Sequence, residues 1–185
     1  VNILRKDASA LKIGVAPSLG SGTHLSVAKP LKEAGVKVRD LTVAPFKASS
    51  ESMSALLGGH IDVISATAPV IMPQVAAGKV RAIASASPTR GKGVLAQVPT
   101  WREQGIPSDF VTYNGLLMAP NSTPQQIAFW EDALRKVSQQ PQWQALVEKN
   151  GGSPVFRDHA QSMEYYNSEL KAVTALVKEI GLAAQ

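Results

Sequence analysis

Residues 12–31, Lys-Ile-Gly-Val-Ala-Pro-Ser-Leu-Gly-Ser-Gly-Thr-His-Leu-Ser-Val-Ala-Lys-Pro-Leu, constrain the fold of this chain more than any other stretch. Ile13, Val15 and Ala16 read as a short buried strand, Pro17 stops it, and a turn of small residues, 18–23, follows. A helix then begins near Thr23 or His24, with Leu25, Ala28 and Leu31 along one side. That order sets the unpaired, partly positive N–H groups of a helix start just beyond the end of a strand. Glycine lets such a backbone approach an anion closely, and Ser and Thr hydroxyls add movable donors. Ser18, Gly20, Ser21, Gly22 and Thr23 are therefore candidate contacts for a carboxylate or phosphate. Turns of this composition also serve tight turning and helix capping alone, and the loop by itself does not choose between the two. Two named sites are excluded by spacing. A P-loop needs a lysine between its last glycine and the Ser or Thr, and Gly22 meets Thr23 directly. A nucleophile elbow needs Gly-x-Ser-x-Gly, and Ser21 is flanked immediately by Gly20 and Gly22.

The pattern repeats downstream. The first helix is expected to run to Ala34 and close at Gly35, with Pro30 kinking it or removing a hydrogen bond. A strand over 40–43 leads to a loop containing Phe46 and Lys47, and Ser49 or Ser50 caps a helix whose buried stripe is Met53, Leu56 and Leu57. Residues 61–65 form a third strand and 80–85 a fourth, with a helix through Pro69 between them that turns Ile71 and Val75 inward. Strands alternating with helices indicate βαβ units and a largely parallel sheet. In such sheets ligands sit beyond the carboxyl ends of the strands, which gathers residues 18–23, 45–49 and 65–67 into one place. Phe46, Lys47, Ser65, Ala66 and Thr67 join the candidate ligand-binding set on that ground. Phe46 would be a wall and Lys47 a charge, unless Lys47 lies in solvent on the surface.

The remainder reads differently. Residues 1–4 look strand-like, 88–107 are loop-rich with a helical piece near 100–104, and 112–120 are a further strand. Thr123-Pro124-Gln125-Gln126 is a capping box opening a helix that should bury Ile127, Trp130, Leu134 and Val137. Pro141 starts another, with Trp143, Leu146 and Val147, and from Asp158 a long helix carries Met163, Tyr166, Leu170, Val173, Val177 and Ile180 as a packing stripe. The expected division is a complete α/β lobe over 8–110, with 1–7 and 111–185 forming part of a second lobe. Trp130, Leu134, Trp143, Tyr166 and Val173 present apolar stripes that need a partner surface, so self-association is expected of this chain on its own.

At 185 residues with 44% hydrophobic and 18% charged side chains, the chain can build a true core. Aromatics at 5% argue against a base-stacking surface, and no nucleic-acid motif is present. The net charge of +5 arises entirely in the first 50 residues, without forming a basic run. A weak field for small anions is one consequence, and a solvated basic face is the other. With no cysteine and three scattered histidines, His24, His60 and His159, neither thiol chemistry nor a metal site is expected, and no cofactor. Hydroxyls, backbone N–H groups and one lysine, with no evident base, suit holding a ligand rather than transforming it; an enzyme is not expected. No apolar run reaches membrane-spanning length. The start at Val1 without an initiator Met points to a processed or truncated product.

The ordered series Gly20-Ser21-Gly22-Thr23-His24-Leu25, Val43-Ala44-Pro45-Phe46-Lys47-Ala48, Ala55-Leu56-Leu57-Gly58-Gly59-His60-Ile61-Asp62-Val63 and Ala76-Ala77-Gly78-Lys79-Val80-Arg81 resembles the tripartite tricarboxylate transporter substrate-binding proteins, also called the Bug family. Val98-Pro99-Thr100, Glu103-Gln104-Gly105-Ile106, Met118-Ala119-Pro120 and Thr123-Pro124 extend the likeness over nearly the whole chain. The resemblance implies a type II periplasmic-binding-protein fold, α/β, with a mostly parallel sheet flanked by helices and, here, a partial second lobe. It also implies a periplasmic receptor that captures a small organic carboxylate and delivers it to membrane permease subunits. Family chains carry a longer N-terminal part with a Pro-Gly-Gly-rich loop that supplies the other half of the carboxylate site, and nothing in this sequence matches it. Their Lys-Gly after the aromatic is Lys47-Ala48 here, and their acidic residue after the third strand is Ala66. The effector-binding domain of a LysR-type transcription regulator shares the fold and is the alternative reading.

Overall fold

A strand buried on both faces must find partners on both edges, and β1 (Lys12–Val15) does so. In the computed structural model, which describes residues 1–182, it is the centre of a three-stranded parallel sheet ordered β2-β1-β3. β2 (Thr42–Pro45) pairs with it from Lys12↔Thr42 to Val15↔Pro45, and β3 (Val63–Ile64) pairs at Ile13↔Val63 and Gly14↔Ile64. The chain steps from β1 to β2 on one side, then crosses back over β1 to β3. With right-handed crossovers, the two intervening helices fall on opposite faces.

Alternation along β1 divides its side chains between those faces. Ile13 and Val15 enter a core with Leu4, Leu31 and Val36. Leu31 belongs to α2 (Gly22–Glu33), and Leu4 to α1 (Asn2–Lys6). Gly14 turns to the other face, where a Cβ would stand 2.5 Å from Ile61 Cδ1 and 3.3 Å from Phe46 Cε2. Met53 of α3 (Ser49–Leu57) is buried, whereas Leu57 is exposed, so the stripe expected on that helix is narrower than its sequence suggests. α4 (Ala68–Ala76) follows β3, with Ile71 and Val75 half-buried.

Helix ends obey the sequence closely. α2 closes with Gly35 at φ +81°, its N–H donating to Lys32 O at 2.8 Å and Val36 N–H reaching Leu31 O at 2.9 Å. This 6→1 and 5→2 pair requires a left-handed residue, which glycine supplies without a Cβ penalty. Pro30 does not break α2; it is buried three residues before the last helical position, and its carbonyl accepts from Ala34 N–H at 2.9 Å.

Four expected strand assignments change. Residues 1–4 are helical: Leu4 faces the core, and Arg5 Nε donates to Ala34 O at 2.6 Å. The third strand shrinks to Val63–Ile64 because Asp62 exchanges its own bonds with Lys12, N–H to Lys12 O at 3.0 Å and Oδ2 from Lys12 N–H at 2.8 Å. Residues 80–85 join no sheet; their bonds go to a loop instead, Ser85 N–H to Pro99 O at 2.9 Å and Trp101 N–H to Ser85 O at 3.1 Å. Residues 112–120 are irregular, since among the described residues no strand lies beside them. The helical piece near residue 100 is a 3-10 turn, Arg102–Gln104, from which Glu103 reaches back to accept from Thr100 N–H at 2.8 Å.

Two compact units result among the described residues: Val1–Thr112 with residues 173–182, and Tyr113–Ala172. In the first, Leu176 and Ile180, near the end of α7 (His159–Glu179), pack on Leu25 and Ala28 of α2. Arg39 Nε donates to Glu179 O at 2.8 Å, closing the helix's carbonyl end, and Lys32 pairs with Glu179. The second unit holds α5 (Pro124–Ser138) and α6 (Pro141–Lys149) with the first part of α7. Its capping box forms as read, Thr123 Oγ1 accepting from Gln126 N–H at 3.3 Å and Gln126 Oε1 from Thr123 N–H at 2.8 Å. Yet no side chain of Tyr113–Ala172 is fully buried: Leu117 is 97% exposed, Phe129 67% and Trp130 50%. Trp130 and Val137 were expected inside; their stripe is amphipathic but nothing in the unit covers it.

Filling the space beside Gly14 should be costly. Gly14→Val is expected to lower unfolding free energy by about 1–3 kcal/mol through overpacking, read from urea unfolding followed by circular dichroism. Light scattering on the purified chain should show mass rising with concentration as the apolar stripes of residues 113–172 find cover. A constant monomer mass across that range would show that they need none.

Candidate functional site

The carboxyl ends of three parallel strands share one edge, so the chain leaving each arrives in the same neighbourhood. Phe46 N–H donates to Val15 O at 2.9 Å and Ser65 N–H to Gly14 O at 3.0 Å, which carries the ladder one residue past β2 and β3. Residues 18–23, Phe46 and Ser65 therefore meet at the end of β1. With order β2-β1-β3, the crevice between β1 and β3 is where consecutive connections depart in opposite directions, the usual place for a ligand in an open α/β sheet.

The turn is tied down by its own hydroxyls. Thr23 Oγ1 donates to Ala16 O at 2.6 Å and accepts from Ala16 N–H at 3.2 Å, satisfying both backbone groups of a buried residue. Ser21 Oγ lies 3.1 Å from Thr23 Oγ1 and 3.3 Å from Ala16 O, a looser tie. Ser21 N–H donates to Ser18 O at 3.3 Å, and Gly20 N–H donates to His24 Nδ1 at 3.0 Å. Because Thr23 holds its hydroxyl proton on Ala16, what it still offers a ligand is its amide.

Ser21 is the N-cap of α2 but makes no side-chain capping bond, and among the described residues nothing accepts from the amides of Gly22, Thr23 and His24. These N–H groups, at the positive end of a twelve-residue helix, are ready donors for an anion. Gly22 is half-buried, and a Cβ there would stand 3.0 Å from Thr112 Cγ2. Ser18 is exposed at the rim.

The other two loops contribute unequally. Phe46 is half-buried and Lys47 exposed, with no carboxylate paired to its ammonium among the described residues. Ser65 Oγ lies 2.9 Å from Ser26 Oγ on α2, a bond that spans the β1–β3 crevice. Ala66 is half-buried and offers no side-chain donor; Thr67 is exposed at the start of α4 and does not cap it.

Three participants escape a loop-by-loop reading. Ser26 and His24 sit inside the helix, at i+3 from Thr23 and i+4 from Gly20, where helical spacing returns a side chain to the turn. Glu51 reaches back from α3 to accept from Lys47 N–H at 3.2 Å, placing a carboxylate at the edge of the set. His24 is 5% exposed, and burial depresses its pKa. A grouping of three or more His, Cys, Asp or Glu able to hold a metal is absent among the described residues.

Fold and edge together define an open α/β domain with unpaired amides at a helix start beyond the carboxyl edge of its parallel sheet. Residues 4–182 match the family described as tripartite tricarboxylate transporter family receptor, and the chain belongs to that family. It is 27% identical over 168 residues to a UPF0065 protein in the gbd 5' region of Cupriavidus necator, covering 91% of this chain and 50% of that one. It is also 27% identical over 167 residues to protein BugT of Bordetella pertussis, covering 89% of this chain and 49% of BugT. The chain thus spans about half the length of these curated relatives. Among solved structures, a Rhodopseudomonas palustris protein with adipate superposes with a TM-score of 0.80 at 21% identity, covering 98% of this chain and 60% of that one. The periplasmic binding protein BugD gives 0.79 at 20% identity, covering 100% and 61%. The fold expected from the sequence is the one observed, and family membership separates the two readings the sequence left open.

Thr23→Val keeps the shape of the side chain and removes both bonds to Ala16. Leaving the buried Ala16 N–H without its Thr23 partner, and its C=O with only the looser Ser21 bond, should cost about 1–3 kcal/mol in stability, whereas Ser21→Ala should cost less; urea unfolding of the two variants compares them directly.

Proposed function

We propose that this chain is part of a periplasmic solute receptor that binds a small organic carboxylate, a di- or tricarboxylate or related acid, and delivers it to the membrane permease subunits of a tripartite tricarboxylate transporter. The reading involves no catalysis, no metal and no cofactor. The observation that carries it is the set of unpaired amides at Gly22, Thr23 and His24, held at the β1–β3 crevice by the Thr23–Ala16 bonds. A carboxylate is planar, carries one charge over two oxygens, and suits two or three converging N–H donors. A relative solved with adipate and another, MatC from Rhodopseudomonas palustris, solved with bound malate support a carboxylate as ligand. In this reading Ser18 and Ser21 add hydroxyl contacts at the rim, Gly20 and Gly22 allow close approach, Phe46 and Ser65 line the walls, Ala66 and Thr67 border them, and Lys47 supplies attractive charge.

Isothermal titration with adipate tests the site. Gly22→Val, which blocks approach of the ligand to the amides and pushes on Thr112, should abolish binding while the far-ultraviolet circular dichroism stays unchanged. Lys47→Met should weaken binding most at low salt, where charge attraction is least screened. Equal adipate affinity in the parent chain and both variants would move the ligand away from this edge.

A further inference from the structure

We propose that His24 is a positioning residue for the carboxylate turn: its neutral imidazole, accepting the Gly20 amide, holds residues 18–23 in the ligand-receiving conformation, and protonation of the ring releases them. This rests on the carboxylate-receptor reading of the same turn and adds a control that reading does not contain.

The geometry is specific. Gly20 N–H points at His24 Nδ1 over 3.0 Å, so that nitrogen must carry a lone pair, and the proton of the neutral ring sits on Nε2. Gly20 is at φ +78°, a left-handed turn position, and its amide bond to the ring is a side-chain tie from the helix to the glycine-rich end of the turn. Ser21 follows immediately as the N-cap, so a shift at Gly20 is felt at the three donating amides.

Protonating Nδ1 replaces an acceptor by a donor aimed at another donor. The ring is 5% exposed, so the new charge gains little from water. It also lies in the first turn of α2, where the helix's own positive end disfavours it. No carboxylate offsets this. The ionisable groups on α2 and on the segments packed against it are Lys29, Lys32 and Glu33 on the helix, Arg5 and Lys6 on α1, Lys12 on β1, Arg39 and Asp40 on the adjoining 3-10 turn, Asp109 beside Phe110, and Lys178 and Glu179 at the end of α7. Glu179 pairs with Lys32, Asp109 with Lys29 and Arg102, and burial alone accounts for the depressed basicity of His24. The sign follows. The stability contributed by neutral His24 is complete above the ordinary histidine value of 6.5 and is lost as pH falls through its lower folded value.

The experiment uses the full chain labelled with nitrogen-15, followed between pH 8 and 5 in parallel with adipate titrations. The Gly20 amide resonance should move with the same midpoint as the His24 ring, without any ligand present. Adipate affinity should fall by about fivefold or more across that midpoint, the worth of one neutral hydrogen bond. His24→Asn places Oδ1 where Nδ1 was and cannot titrate. Whatever its affinity at pH 8, it should lose the pH dependence of adipate binding that the parent shows across the ring's midpoint. The ligand's own protonation is common to both proteins, so the difference between them belongs to His24. His24→Phe, without an acceptor, should bind weakly at every pH while its thermal unfolding remains cooperative. A Gly20 resonance indifferent to the His24 titration overturns the proposal, as does affinity that rises on acidification in the parent chain alone. Absence of adipate binding at any pH, with Gly20 still following His24, would instead overturn the carboxylate reading and leave the coupling of ring and turn established.

Discussion

Every hydrogen bond of the parallel sheet runs through β1, and the absence of a side chain at residue 14 lets its neighbours close on that strand. Ile61, Ile64 and Phe46 converge on the space a Cβ would fill, while Ile13 and Val15 occupy the opposite face. Close packing on both sides fixes β1 between β2 and β3, and the fixed order brings three strand ends to one edge. The candidate site is a consequence of that order. Its donors lie within a few residues of β1, and its walls are the first residues beyond β2 and β3.

Within that edge, polar groups have separate tasks. The Thr23 hydroxyl satisfies the buried ends of Ala16 and so holds the turn against the sheet. The Ser26–Ser65 bond ties the helix to the third strand, and the Gly20–His24 bond ties the turn to the helix. What these ties leave over, the amides of the helix start, is the part free to meet an anion.

The two compact units differ in how far they satisfy themselves. The first has two hydrophobic clusters and draws the end of α7 onto α2 through Leu176 and Ile180. The second has well-formed helices, with a complete capping box and cation–aromatic contacts of Arg135 on Phe156 and Arg157 on Tyr165, but no buried side chain. Local bonds make helices; burying their stripes takes a surface that Tyr113–Ala172 does not supply to itself. The chain spans about half the length of its curated relatives, and the apolar side chains of Tyr113–Ala172, Leu117, Phe129 and Trp130 among them, stand in water.

By itself the sequence determined what depends on near neighbours. Gly35, Gly59, Gly78, Gly151 and Gly181 each follow a helix and take positive φ, because closing the last carbonyls needs a left-handed residue within three positions. The capping box at Thr123, the strand–turn–helix of residues 12–31 and the collinear family motifs were legible for the same reason. Strands were not, since a strand is defined by the neighbour it bonds. Residues 80–85 alternate correctly in burial, yet bond a loop at Pro99 and Trp101, and residues 112–120 have the composition of a strand with no partner beside them. Of the candidate site, the glycines and hydroxyls were proposed from the sequence, but not that Thr23 would face Ala16, Ser26 face Ser65, or His24 accept from Gly20. Those pairings exist only once the helix has turned its side chains back over the strand ends, and that was decided by the tertiary structure.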